Sequence, residues 1–232
     1  SNSTAGSQSS EEYVVPKYSE EDFRRLKRRA PFMQSVGGHS IALWSNLHKV
    51  QETTYFGFLR DPIKRGASHY QYHLSNDDPN KTWQQWVDYS VAHNHQVKMF
   101  SRTVDPHDAI AEISKQKVFI GFTEKFDESL VIFKKLFAPN LNISYTRTNT
   151  AKANNVAKEI LSDNKKIEDM KRMYQFEIPL FEWAINDYYP QFVKEYGPTL
   201  EKDVEEFRKV RDKVNRMNIF ANRVYRKVAS AF

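Results

Sequence analysis

Arg60 and Ser68 are the residues of this chain whose types and spacing best suit chemistry on an anion. They lie in Tyr55-Phe56-Gly57-Phe58-Leu59-Arg60-Asp61-Pro62-Ile63-Lys64-Arg65-Gly66-Ala67-Ser68-His69-Tyr70, an aromatic and apolar run of strand character that turns abruptly to charge at Arg60. Asp61 is a good N-cap and Pro62 a good first helical residue. Together they predict a helix from there to about Leu74, with Ile63, Ala67 and Tyr70 inward. The strand would then deliver a guanidinium beside a helix N-terminus, where backbone donors and the macrodipole favour an anion. Ser68, nearly two turns further on, adds a hydroxyl. An Arg fork plus a hydroxyl suits a phosphate monoester, because Arg makes paired, charge-assisted bonds to its oxygens. The plainer reading of the same residues is an Arg–Asp pair at a strand end.

The elements that must position this stretch follow from pattern and composition. At 232 residues, with 40% hydrophobic and 14% aromatic content, the chain suits one globular domain with a helical extension. No run of 18 apolar residues and no secretory signal is visible. The absence of cysteine excludes disulfides, thiolate catalysis and Cys-based zinc sites. It suits a cytosolic or bacterial setting, and a Golgi lumen stays open if an anchor has been removed. A net charge of +6 favours anionic partners. Residues 1–18 read as a flexible lead-in or tag, residues 19–197 as an α/β domain, and residues 198–232 as a helical extension. Ser19-Glu20-Glu21-Asp22 predicts a capped helix whose Phe23 and Leu26 face inward beneath five basic residues, either a polyanion contact or a solvated face. Thr82 predicts a helix with Trp83, Trp86 and Val87 on one face, for stacking on a ligand or for core packing. Asp105-Pro106 opens another helix, with Ile110 and Ile113 inward. Lys117–Thr123 is a second buried strand leading into a helix to about Phe137, and Asn142–Arg147 is a third strand candidate. Strand–helix units at 55–74 and 117–137 fit a parallel sheet with crossover helices. Residues 152–196 read as helices, with Ile178, Leu180, Phe181, Trp183 and Ala184 as core. Leu200, Val204, Phe207, Val210, Val214, Met217, Phe220, Val224 and Val228 form one long amphipathic stripe, for packing or a homodimer, with a membrane surface as the alternative. His93 and His95 lack a third ligand at suitable spacing, so no metal is expected.

The string Arg-Asp-Pro, two residues, Arg, two residues, Ser, one residue, Tyr resembles the 3'-phosphate-binding segment of sulfotransferases that use 3'-phosphoadenosine 5'-phosphosulfate (PAPS), most closely the branch that sulfates carbohydrates such as heparan sulfate. The segment Gly121-Phe122-Thr123-Glu124, with its following acidic pair and Ser129-Leu130, resembles the same family. The resemblance covers about residues 36–190. It implies a P-loop-kinase-like three-layer fold, PAPS as cofactor with PAP as product, and transfer to a hydroxyl. Arg60 and Ser68 would hold the 3'-phosphate, with Asp61 and Arg65 mainly architectural. Gly66 departs from the bulky apolar residue frequent there. His39, after Gly37-Gly38, matches the general base of the uronyl 2-O-sulfotransferases, a role imidazole suits near neutral pH; the alternative is a loop histidine satisfied by a carbonyl. Asn94 and Gln96 match an Asn-x-Gln stretch beside the acceptor cleft. Arg147, Thr148 and Asn149 match a loop that closes over the nucleotide.

One family feature is missing. The Pro-Lys-Thr-Gly-Gly-Thr-like loop that cradles the 5'-phosphosulfate has only a faint counterpart in Ser3-Thr4-Ala5-Gly6-Ser7-Gln8-Ser9, with Ser3 in the place of the lysine. A tag remnant in place of native residues, a diverged loop and an inactive relative all remain open. The expected function is therefore sulfuryl transfer to a hydroxyl, on a carbohydrate. An inactive nucleotide- or polyanion-binding relative and a tyrosyl-protein or small-molecule sulfotransferase are the alternatives. The phosphoryl-transfer motif Gly-x-x-x-x-Gly-Lys-Ser/Thr is absent, and no nucleic acid partner is expected.

Overall fold

The computed structural model describes residues 18–38, 40–88, 93–145 and 155–211. Helix α1 (Glu20–Arg29) opens with a reciprocal capping box between Ser19 and Asp22, and its Phe23 and Leu26 are buried. Two short 3-10 turns, Leu43–Ser45 and Leu47–Lys49, lead to strand β1 (Tyr55–Leu59). Helix α2 (Pro62–Asn76) follows at once, then α3 (Trp83–Val87), α4 (His95–Phe100) and α5 (Pro106–Lys115). Strand β2 (Val118–Phe122) pairs parallel to β1, with Tyr55 opposite Val118 and Leu59 opposite Phe122. The chain continues through α6 (Phe126–Phe137), α7 (Asn155–Ser162), α8 (Asn164–Met173) and α9 (Glu177–Trp183). A π-helical turn at Ala184–Tyr188 joins α9 to α10 (Tyr189–Tyr196), and α11 (Leu200–Arg211) is the last described element.

The described residues are thus mostly helical around a small two-stranded parallel sheet, compatible with an α/β fold. The third strand expected at 142–147 does not form over its described part, since Leu141–Tyr145 is irregular. The Asn142 side chain accepts a hydrogen bond from the Ser144 N–H at 3.0 Å, and Tyr145 turns its hydroxyl to Asp127 at 2.7 Å. These local and side-chain bonds take the place of a ladder. The aromatic helix at 83–87 resolves to packing: Trp86 is fully buried, and Trp83 lies edge-on to Tyr70 while donating to Asp169 at 2.9 Å.

Two hydrophobic clusters build the interior. The larger gathers β2, Leu59, α5, α6, α9, α10 and the start of α11; the smaller gathers α2, Trp86, Ile160, Met170, Met173 and Tyr174. Along the predicted stripe, Leu200 and Val204 are buried and Phe207 packs against the larger cluster, but Val210 is 58% exposed; residues 212–232 lie outside the described residues. Helix α11 is held by Asp127 on α6, whose carboxylate accepts from Arg208 Nε at 3.0 Å and Arg211 Nη1 at 2.8 Å. Burial pushes the Asp127 carboxyl up, but the bonds from Tyr145, Arg208 and Arg211 together outweigh it and hold it below its ordinary value. Among the described residues no helix is long and apolar enough to cross a membrane.

All five residues of β2 are buried, and α6 packs close upon them because Gly121 has no side chain. A Cβ there would stand 2.7 Å from Ser129 Cβ and 2.8 Å from the Phe58 ring. Ser129 also accepts the Phe122 N–H at 3.0 Å, so the helix cannot retreat without losing that bond. Gly121→Ala should therefore lower stability by about 1–3 kcal/mol through overpacking. Urea unfolding measures it, and an unchanged midpoint would contradict this packing.

Candidate functional site

The junction of β1 and α2 forms as its local sequence dictates. Asp61 Oδ1 accepts the N–H groups of Ile63 at 2.9 Å and Lys64 at 3.0 Å, and Pro62 stands at the first helical position with no N–H to satisfy. The Arg65 N–H bonds back to the Asp61 carbonyl at 2.8 Å. This cap corrects one expectation. The backbone donors at the start of α2 are already engaged by Asp61, so an anion here must be held by side chains and the helix dipole.

Those side chains are present. Arg60 and Ser68 are half-buried, and neither the Arg60 guanidinium nor the Ser68 hydroxyl has a hydrogen-bonding or ionic partner among the described residues. The Arg60 backbone, by contrast, is fixed. Its N–H donates to Gln96 Oε1 at 2.9 Å and its carbonyl accepts from Gln96 Nε2 at 3.0 Å, so the glutamine amide continues the strand edge as a neighbouring peptide would. The next residue, Asp61, donates its N–H to Glu124 Oε1 at 3.2 Å.

Gln96 is held in turn by Glu177 at the start of α9. The fully buried Glu177 carboxylate accepts from Gln96 N at 2.7 Å, Gln96 Nε2 at 2.9 Å and Arg65 Nη2 at 2.9 and 3.1 Å. Arg65 also lies over the Tyr174 ring, 4.8 Å from its centroid. Arg65 is architectural here, tying α2 to α9. Gln96, expected at the acceptor cleft, has both its amide oxygen and its amide nitrogen engaged by Arg60 and Glu177. Its geometry is that of a strut under Arg60.

Asn94 differs from Gln96. It adopts a left-handed conformation (φ 53°), is 8% exposed, and its Oδ1 is buried without a hydrogen-bond partner. Asn takes this conformation more readily than other residues with side chains, so the orphaned acceptor is the feature that calls for a partner such as a ligand or water. His69, one residue beyond Ser68, also has a buried, unpartnered Nδ1. Burial, the neighbouring His73 ring 4.5 Å away and the Arg65 charge lower its pKa to about 4. His39, Arg147, Thr148 and Asn149 lie outside the described residues, as does the stretch at 3–9.

Gly66 is explained by packing. A Cβ there would stand 2.7 Å from Tyr174 Cε2 and 2.9 Å from Met170 Sδ, so α8 and the Tyr174 ring occupy the space a bulky residue would need. Sequence reasoning did not find Glu177 or the role of Glu124. Glu124 carried a signal, as the acidic residue directly following a buried strand. Glu177 sits in an unremarkable helix start, and nothing local marks it. Among the described residues no cluster of three or more His, Asp or Glu suited to a metal ion occurs.

Comparison with protein-family models, curated proteins and solved structures found no match for this chain.

Two outcomes follow from the geometry. Glu177→Ala leaves the Arg65 guanidinium and the Gln96 amide buried without their acceptor and should cost about 3–5 kcal/mol, measured by chemical denaturation. An effect below about 1 kcal/mol would show that the network is not buried as described. The imidazole of His69 binds its proton at an ordinary 6.5 when unfolded and only at about 4 when folded. Between these values the unfolded chain holds more protons, so this contribution is complete above pH 6.5 and declines as pH falls towards 4. Melting temperatures across that window should fall more steeply for the parent than for His69→Asn; parallel curves would refute it.

Proposed function

We propose that this chain is a PAPS-dependent sulfotransferase of P-loop-kinase-like fold, acting on a hydroxyl of a carbohydrate. The observation that carries the reading is the Arg60 guanidinium: it has no partner among the described residues, while Gln96 and, through it, Glu177 fix its backbone. A surface arginine serving only as an ion-pair partner needs no such support. Asp61 Oδ1 caps the helix, and no Arg60–Asp61 ion pair forms among the described residues, which favours a ligand-binding role for Arg60 over a strand-end pair. The 3'-phosphate half of the nucleotide suits an unengaged guanidinium at the N-terminus of a 15-residue helix and an unengaged hydroxyl nearly two turns along it.

PAPS would supply the sulfuryl group, which would pass to the acceptor oxygen as the bond from sulfur to the 5'-phosphate oxygen breaks and that electron pair stays on the phosphate. Arg60 and Ser68 orient the nucleotide through its 3'-phosphate. His39 takes the proton of the acceptor hydroxyl. Asn94 would make a polar contact to the acceptor or the cofactor through its amide. By the resemblance to the family, Arg147, Thr148 and Asn149, outside the described residues, would contribute the loop over the nucleotide. The protein's contribution is positioning and charge stabilisation, which is what group transfer between oxygens requires.

Calorimetric titration with PAP tests the reading. The parent should bind, and Arg60→Ala should bind tens to hundreds of times more weakly, about 2–4 kcal/mol, for the loss of a charged phosphate contact. His39→Ala should retain PAP binding and lose transfer to a glycan acceptor. A parent that does not bind PAP, or an Arg60→Ala variant that binds as well as the parent, sinks the proposal.

A further inference from the structure

The end of α1 displays a combination that neither the fold nor the proposed site uses. Arg24, Arg25, Arg28 and Arg29 are exposed, and the chain then turns so that Phe32 stands 91% exposed at the tip. A wholly exposed phenylalanine is unfavourable in water, and isolation on a tip removes any packing reason for it. The tip is also built. Met33 N–H bonds to the Ala30 carbonyl at 3.0 Å, and Lys27 Nζ reaches the carbonyls of Pro31 at 3.2 Å and Met33 at 3.5 Å. The lysine ammonium thus clamps the turn that presents the ring, and burial of Phe23 and Leu26 anchors the helix behind it.

The stretch of chain that carries the tip is basic. From Phe23 to Gln51 the chain contains no Asp or Glu, while it carries Arg24, Arg25, Lys27, Arg28, Arg29 and Lys49. Glu21, at the far end of α1, pairs with Arg25 and Arg28 only across exposed surface, at 3.2 and 3.3 Å. Such pairs contribute little and exchange readily for another anion.

We propose that the α1 tip is an interfacial anchor for an anionic lipid surface, with Phe32 entering the headgroup–acyl boundary and the arginines of α1 meeting lipid phosphates and carboxylates. The charge complementarity and the clamped ring point to the same partner. A dissolved polyanion satisfies the arginines and leaves the ring in water; a bilayer interface takes both at once. The attachment is peripheral and reversible, because one ring and a few charges fall far short of a spanning helix.

Sedimentation of the full chain with vesicles tests it. Vesicles of phosphatidylcholine with a third phosphatidylserine should bind the protein, with affinity falling as salt rises, while pure phosphatidylcholine should not. Phe32→Ala should weaken binding about tenfold. Arg24→Glu combined with Arg28→Glu should weaken it at least ~30-fold. Both changes are on exposed side chains, so circular dichroism and melting temperature should match the parent. Absent binding, equal binding to neutral vesicles, or Phe32→Ala binding as tightly as the parent would each overturn the proposal. In the last case the surface would be a charge-only contact for a soluble polyanion such as heparin.

Discussion

A single buried carboxylate, that of Glu177, connects the parts of this structure that matter for its site. It receives the guanidinium of Arg65 from α2 and both the backbone and side-chain N–H groups of Gln96 from α4. Burying an ionised carboxylate costs several kcal/mol, which only a charge partner and filled lone pairs can offset. Here the offset is complete, with one guanidinium and two further donors. The consequence is positional. Since Gln96 is pinned from behind, its amide grips both backbone groups of Arg60, and the end of β1 is fixed without any use of the Arg60 side chain.

This node also lies at the seam between the two hydrophobic clusters. Arg65 projects from α2, whose inner face belongs to the smaller cluster through Ala67 and Tyr70, while Glu177 begins α9, whose Leu180, with Ala184 just beyond it, belongs to the larger. Hydrophobic contact is non-directional and tolerates sliding. A buried ion pair whose carboxylate accepts four hydrogen bonds does not, because a shift of about 1 Å would break charged bonds in a low-dielectric setting. The close approaches at Gly66 and Gly121 act in the same direction: each lets a neighbouring element settle at one depth, and neither leaves room for a methyl group.

What was legible in the sequence follows the range of the interactions. The strand running up to Arg60, the Asp61 cap, Pro62 at the first turn and the inward Ala67 and Tyr70 are all written between Tyr55 and Tyr70, and they stand where the pattern places them. The β2–α6 unit and the helices between 155 and 211 were legible for the same reason. The roles of Gln96 and Glu177 were not, because Arg65 and Glu177 are 112 residues apart and nothing local distinguishes a glutamate that will be buried. The third strand misled in the opposite way. Asn142-Ile143-Ser144-Tyr145 has the residue types of a strand, but Asn142 closes a turn on Ser144 and Tyr145 is drawn to Asp127. Side-chain bonds overrode propensity there. The polar cap of α2 was read correctly as a cap, yet its implication was missed: the same carboxylate that starts the helix also consumes the backbone donors expected to greet an anion.

That last point changes what kind of anion site is proposed. A helix N-terminus with free N–H groups binds phosphate through fixed backbone geometry, indifferent to which side chains surround it. With those groups capped, discrimination passes to side chains, and a guanidinium is the one side chain that presents paired donors matched to a phosphate. An Arg fork selects only if its origin does not move, because a long side chain swinging from a mobile base gains contact but not orientation. The support beneath Arg60 supplies that fixed origin from Gln96 and Glu177 rather than from the helix. A lysine in its place would keep the charge and lose the paired geometry, so this architecture has a use for arginine specifically.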